Sequence, residues 1–262
     1  MTSWNPDVDF DASYESLGQE MYEFAGSIFP FPRSITGNGV RDTLAEVKKH
    51  LPELVIHEVP TGTTCFDWIV PDEWNVRAAY IANMDGKKIV DFKHNNLHLM
   101  GYSVPVNDVI SRRDLDDHLY SMPETPDAIP YTTSYYQRNW GFCLTQNQRE
   151  MLKDSQYRIL IDTDLAPGYL TYADLVIPGE SDREILISTY TCHPSLANNE
   201  TSGPTLATYL AAMLSKRKNR FTYRIVFAPE TIGAVVYLAH NLDHLKEMTL
   251  AGFILTCVGD DR

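Results

Sequence analysis

Apolar residues recur at helical spacing along residues 14–31, through Leu17, Met21, Phe24, Ala25 and Ile28, until Pro30 and Pro32 interrupt the stripe. That period predicts an amphipathic helix ending at the prolines. A second stripe through Val40, Leu44 and Val47 predicts a helix over 40–50 that stops before Pro52, and 54–59 alternates as a strand does. From 170 onward the pattern becomes strand 170–177, a Pro178-Gly179 turn, strand 184–191, helix 203–215, strand 222–228, helix 232–245 and strand 252–257. Strands alternating with helices predict an α/β protein with a mixed, mostly parallel sheet flanked by helices. In such sheets chemistry collects in the loops at the carboxyl ends of strands.

Residues 61–166 read differently, as short apolar pieces separated by turn signals. Asp85-Gly86 between 78–82 and 88–92 predicts a hairpin, because a tight turn there needs residues that tolerate positive φ. Short helices are expected over 112–120 and 146–152, and 128–140 is aromatic-rich and irregular. The expected organisation is one α/β domain made of 1–61 and 167–262, interrupted by a small inserted β-rich domain at 62–166.

With 44% hydrophobic and 22% charged residues, the chain of 262 has ordinary globular usage, which argues against disorder, collagen or coiled coil. Its net charge of −13 repels phosphate backbones and anionic membranes, so nucleic acid is not an expected partner. No apolar run reaches membrane-spanning length. Residues 1–13 lack the basic and apolar regions of a secretory signal, so the cytoplasm is the expected location. Cys65, Cys143, Cys192 and Cys257 lack CxxC spacing and are expected to be structural thiols.

Two polar clusters follow strands. In Thr191-Cys192-His193-Pro194-Ser195-Leu196-Ala197-Asn198-Asn199-Glu200-Thr201-Ser202-Gly203 an imidazole leaves a strand and an amide- and carboxylate-rich loop enters a helix. His193 there suits a zinc ligand completed by loop oxygens; equally, it is a hydrogen-bonded histidine while Asn198, Asn199 and Thr201 cap the helix. Glu230 follows the next strand, where partial desolvation would suit a general base; alternatively it interacts with the dipole of the helix it precedes. His94 and His98 read as packing or hydrogen-bonding residues. Tyr131, Tyr135, Tyr136 and Trp140 either line a cleft or pack the two modules together.

Strand-His, a polar loop with Ser-Gly opening a helix, then strand-Pro-Glu resembles the M28 zinc aminopeptidase pattern. More closely, Pro32-Arg33-Ser34-Ile35-Thr36-Gly37, Asp67-Trp68, Asp91-Phe92 with Asn95-Asn96-Leu97-His98, Asp127-Ala128-Ile129-Pro130-Tyr131, Trp140-Gly141-Phe142-Cys143, Cys192-His193-Pro194-Ser195 and Pro229-Glu230-Thr231-Ile232-Gly233 resemble the aminopeptidase-like DUF4910 family with its inserted DUF2172 region. The resemblance implies that His193 is the first zinc-binding histidine and Glu230 the general base. It also places Asn199 where M28 enzymes have a metal-bridging aspartate, and Thr231 where they have a second glutamate. A dinuclear site is therefore not expected. The expectation is one zinc ion, held by His193, Asn199 and Glu200, with Asp260 a further acid near the same edge; alternatively Glu200 and Asp260 are solvated loop acids.

The implied activity is a zinc-dependent aminopeptidase-like hydrolase acting on a peptide or amide-containing small substrate. The alternative is a non-catalytic binding module on the same scaffold, taking a peptide or a carbohydrate precursor. Residues 252–258 read as a buried strand, and the family resemblance implies a further portion carrying a late histidine ligand. The chain by itself is thus expected to be weakly active and to self-associate as a homo-oligomer along that sheet edge.

Overall fold

The computed structural model describes residues 10–259, with 10–14 as backbone only. The chain begins α1 (Phe10–Ile28), α2 (Asn38–His50), β1 (Val55–Pro60), β2 (Thr64–Cys65), β3 (Trp68–Ile69), β4 (Glu73–Ala82), β5 (Lys88–Asp91) and β6 (Val106–Ser111). It continues α3 (Arg112–Asp116), β7 (Leu119–Tyr120), β8 (Phe142–Cys143), α4 (Gln146–Glu150), β9 (Gln156–Ala166), β10 (Tyr169–Ile177) and β11 (Ser181–Tyr190). The remainder is α5 (Ser202–Leu214), β12 (Phe221–Ala228), α6 (Ile232–Met248) and β13 (Thr249–Ile254). A short π-helical turn, Ala197–Thr201, precedes α5.

The main sheet has five strands in the order β1-β10-β12-β11-β13. β1–β10 and β10–β12 pair antiparallel, β11–β12 and β11–β13 parallel. The sheet is mixed in equal parts, not mostly parallel. The helix–strand alternation that signals parallel pairing starts only at β11; β10 joins β11 by a tight turn and takes its place antiparallel to β12. Side-chain alternation then sorts the two faces. Ala173, Leu175, Ile177, Ile225 and Phe227 pack with Phe24, Ile28, Val40, Leu44 and Val47 of α1 and α2 and with Ala207 and Ala211 of α5. On the other face, Leu170, Tyr172, Val226 and Ala228 join Ile232 and Val236 of α6.

A second sheet, order β5-β4-β9-β6, is wholly antiparallel. Its buried residues Trp74, Ala79, Ile81, Ile159 and Ile161 belong to the same apolar cluster as the α6 face of the main sheet. The expected hairpin is β4–β5, with Gly86 at φ 85°. The chain leaves and re-enters the main sheet at one place: Thr61 N–H donates to Gly168 O (2.9 Å), and Gly168 N–H donates to Thr61 Oγ1 (3.0 Å). Beside it, Arg41 binds Glu73 through both oxygens (2.8 and 2.7 Å) and Glu58 at 2.8 Å, while Tyr169 N–H donates to Glu73 (2.9 Å). Those bonds, Arg41 first, draw the Glu73 carboxyl pKa down to about 2.

β13 differs from the expected buried strand. It lies at the sheet edge, and Leu250, Phe253 and Ile254 are exposed, the last at 73%. Among the described residues no helix is long and apolar enough to cross a membrane.

Candidate active site

The parallel pairing of β11 with β12 builds the site. Tyr190 stands opposite Ala228, and Thr191 N–H continues the ladder to Ala228 O at 3.1 Å. His193 and Glu230, two or three residues further on, therefore emerge side by side. Their Nε2 and Oε2 atoms are 3.3 Å apart. His193 is buried, whereas the Glu230 side chain is half exposed, less desolvated than its place after an apolar strand suggested.

Glu200 lies neither where a ligand would, nor in solvent. The π turn folds it inward to 1% exposure, where Oε2 accepts from His193 Nδ1 at 2.9 Å and Oε1 accepts from Cys192 N–H. A carboxylate on Nδ1 fixes the imidazole so that Nε2 points at Glu230, the arrangement that orients metal-binding histidines. Both oxygens of Glu200, expected as a metal ligand, are thus engaged by His193 and Cys192, because the turn aims its side chain at the near ring nitrogen. Arg33 completes the buried set. Its Nε donates to His193 O (3.0 Å) and lies 3.9 Å from Glu200 Oε1, and NH1 donates to Ile28 O. Burial pushes the Glu200 pKa up; the His193 hydrogen bond and the Arg33 charge oppose that without reversing it.

Cys192 is wholly buried, and its Sγ accepts from Glu230 N–H at 3.2 Å. Burial, then the charge of Glu200, holds this thiol well above its ordinary pKa. It is a neutral packing group although it lies with His193 and Glu230 in a cluster of potential ligands. Cys65 and Cys143 are likewise buried; Cys257 is exposed. His98 is a buried residue bonded to Cys143 O at 2.8 Å, as its reading supposed. Asp260 lies outside the described residues.

Asn199 turns its amide nitrogen to Cys257 Sγ (3.9 Å), and its Oδ1 is buried with no hydrogen-bond partner among the described residues. An orphaned buried amide oxygen, an imidazole nitrogen and the carboxylate that nitrogen faces are N and O donors of the types zinc accepts. His193 Nε2 and Asn199 Oδ1 would hold such an ion, with Glu230 placed to bind it or the water beside it. Bound there, zinc would polarise a carbonyl and acidify water.

Strain marks the same place. Ser195 (φ 43°), Thr231 (φ 59°), Tyr135 (φ 37°) and Cys257 (φ 52°) are non-glycine residues in the left-handed region, a concentration typical of functional sites. Close packing demands Gly203, where a Cβ would lie 2.3 Å from Leu255 O. The loop between β7 and β8 contributes Tyr131, whose ring meets His193 edge-on with centroids 4.7 Å apart. Sequence reasoning left Arg33 without a role, although an arginine inside Pro-Arg-Ser-Ile-Thr-Gly, between two apolar helices, was the available signal.

Comparison with known proteins agrees with this architecture. Residues 22–262 match the family model described as a domain of unknown function, DUF4910. The chain belongs to the DUF4910 family. A relative in sequence is the "Putative polysaccharide biosynthesis protein with aminopeptidase-like domain" of Clostridium acetobutylicum, 51% identical over 243 residues, which are 93% of this chain and 56% of that protein. A crystal structure of a "putative peptidase" from the same organism superposes with TM-score 0.92 at 50% identity, covering 95% of this chain and 58% of that one. The chain therefore spans little more than half the length of these relatives. BSAP, a zinc aminopeptidase from Bacillus subtilis, shares the fold alone: TM-score 0.59 at 11% identity, covering 97% of this chain and 70% of that one. The DUF4910 fold seen here is thus of aminopeptidase type.

Proposed function

We propose that this chain carries the site of a zinc-dependent aminopeptidase-like hydrolase, acting on a peptide or amide-containing small substrate. The observation that carries the reading is the Glu200–His193–Glu230 line, in which a buried carboxylate fixes one ring nitrogen and the other faces a half-exposed carboxylate 3.3 Å away. Glu230 accepts the proton of the attacking water at Oε2 and returns it to the amine that leaves. Glu200 keeps the imidazole from turning, and Arg33 holds the His193 backbone carbonyl. Tyr131 and Tyr190 pack edge-on against the His193 ring.

A second reading has its own support. Asn199 and Thr231 stand where the family resemblance implies carboxylates, which favours a binding module for a peptide or carbohydrate precursor. Metal analysis of unchelated protein, with turnover of aminoacyl anilides, separates the two. The hydrolase reading expects about one zinc per chain and a loss of about 10²–10⁴-fold in turnover for Glu230→Gln with the metal retained. Protein without metal or turnover overturns it in favour of binding.

A further inference from the structure

β11 and β13 run parallel, with Ser188 opposite Ile254 and Leu255 N–H donating to Ser188 O at 2.8 Å. Two residues further along each strand, Tyr190 and Thr256 come out side by side, and their hydroxyls are hydrogen-bonded. Thr256 Oγ1 also reaches Asn199 O at 3.1 Å, while Cys257 Sγ, at 3.6 Å, is the weaker acceptor. A carbonyl oxygen only accepts, so the threonine proton goes to Asn199 and the tyrosine is the donor of the other bond. The line runs one way, from Tyr190 through Thr256 to Asn199, and both of its protons are used.

Other bonds tie the same segments together. Thr189 Oγ1 donates to Leu255 O (2.9 Å), Val258 N–H donates to Ser202 Oγ (3.2 Å), and Ser202 Oγ donates to Asn198 O. The Asn199 amide nitrogen turns to Cys257 Sγ at 3.9 Å. Asn199 is thus held at its backbone carbonyl and at its amide nitrogen, and Oδ1 is the atom left buried without a partner among the described residues. Tyr190 acts at both ends of this arrangement. Its ring stands edge-on to that of His193, with centroids 5.7 Å apart and planes at 78°, and its hydroxyl reaches the backbone of Asn199 through one threonine.

We propose that Tyr190 and Thr256 are positioning residues that set the spacing between His193 Nε2 and Asn199 Oδ1, and with it the affinity of this chain for a zinc ion. The assignment rests on the zinc reading above and adds to the site two residues that lie at the ends of neighbouring parallel strands. Nothing is transferred along the line; its work is to hold the loop in place before an ion arrives. Without the tyrosine hydroxyl, the threonine is no longer oriented toward Asn199. The loop must then be ordered as the ion binds, which weakens binding. Partners that orient metal-binding groups from behind are worth about 10- to 100-fold in metal affinity.

Tyr190→Phe removes the hydroxyl and keeps the ring on His193; Thr256→Val removes the link and keeps its shape. The test titrates zinc ion into metal-stripped protein in competition with a chromophoric chelator, with melting of the metal-free form alongside. Expected are a loss of about 10- to 100-fold in zinc affinity for either variant, no further loss in the double variant because both break the same line, and most of the affinity kept by Thr256→Ser. If the pair only packs β13 against β11, the variants melt earlier but the folded chain binds zinc as wild type does. Equal zinc affinity in wild type, Tyr190→Phe and Thr256→Val therefore overturns the assignment and leaves the hydrolase reading standing. Wild-type protein that binds no zinc overturns both.

Discussion

Two clusters on the same sheet are built from the same residue types, an arginine, a carboxylate and a histidine, and end up with opposite characters. On the α6 face, Arg224 donates to both oxygens of Glu184 (2.7 and 2.8 Å) and to Asp174 (3.2 Å), while His244 pairs with Glu184 (2.9 Å) and His57 with Asp174 (2.8 Å). Every charge there has a charged partner. At the ends of β11 and β12, Arg33 reaches Glu200 only at 3.9 Å, its NH2 has no hydrogen-bond partner among the described residues, and the outer nitrogen of His193 faces a solvated carboxylate. Saturated pairing across strands β10, β12 and β11 ties the sheet together. Unsaturated pairing, with strained backbone around it, leaves atoms free for a ligand.

The largest expected effect comes from Arg33→Met. It strands Glu200 in the core without its cation and should cost about 3–5 kcal/mol in a urea titration; combined with Glu200→Leu, part of that loss should be recovered, because the stranded charge is gone. Arg224→Met should cost somewhat less, about 2–3 kcal/mol, since the carboxylates it leaves are nearer solvent. The contrast is sharpened by metal content and anilide turnover. Both should be unchanged in Arg224→Met and lost in any folded Arg33 variant; equal losses in the two would erase the distinction.

His193→Gln comes next, at about 1–2 kcal/mol, because Glu200 Oε2 loses its donor in a buried position. His193 is buried in its loop, so this variant should lose metal and some stability together, read by melting and by metal analysis.

The two buried glutamates should answer pH with opposite sign. Burial pushes Glu184 up, yet the Arg224 and His244 hydrogen bonds leave its pKa below the ordinary 4.5. Its contribution to stability is therefore present above pH 4.5 and lost as pH falls through the lower folded value. Glu200 stands above 4.5. Its contribution is present below that pH and lost as pH rises through the higher folded value. Urea midpoints of Glu184→Gln and Glu200→Gln between about pH 3 and 7 should diverge from wild type in opposite directions, and parallel curves would refute the assignment.

The smallest effect is expected at the sheet edge. Ile254→Lys, at a largely exposed position, should shift stability by less than about 0.5 kcal/mol while lowering any concentration-dependent self-association seen by light scattering. Unchanged association would remove β13 as the contact.

The elements with a clean period were legible: α1, α2, β1, β10, β11, α5, β12 and α6 all lie within a few residues of their hydrophobic patterns. β9 was not read as a strand, although Tyr157, Ile159, Ile161 and Thr163 alternate inward. Arg158, Asp162 and Asp164 between them broke the apolar run, and the latter two turn outward to Arg77 on β4. At the site, position after a strand identified His193 and Glu230. The role of Glu200 depended on a π turn that no local propensity announces, and that of Arg33 on a contact across 160 residues of chain.

The meeting of Thr61 with Gly168 bears on how this molecule can change length. A segment whose ends already touch presents its host with a closed loop, and doubling such a loop adds only about 0.6 kcal/mol of closure entropy. The main sheet is therefore nearly indifferent to how much chain lies between those two residues. The near part of the segment is not free to vary: Trp74 O lies 2.2 Å from where a Cβ on Gly37 would stand, and Tyr131 rests on His193. The far part is. At the β4–β5 turn Met84 is 60% exposed and a side chain on Gly86 would meet nothing within 4 Å. Insertions, tags or a fused domain belong at that tip, where added residues would lengthen the second sheet outward and leave the tyrosines over the histidine undisturbed.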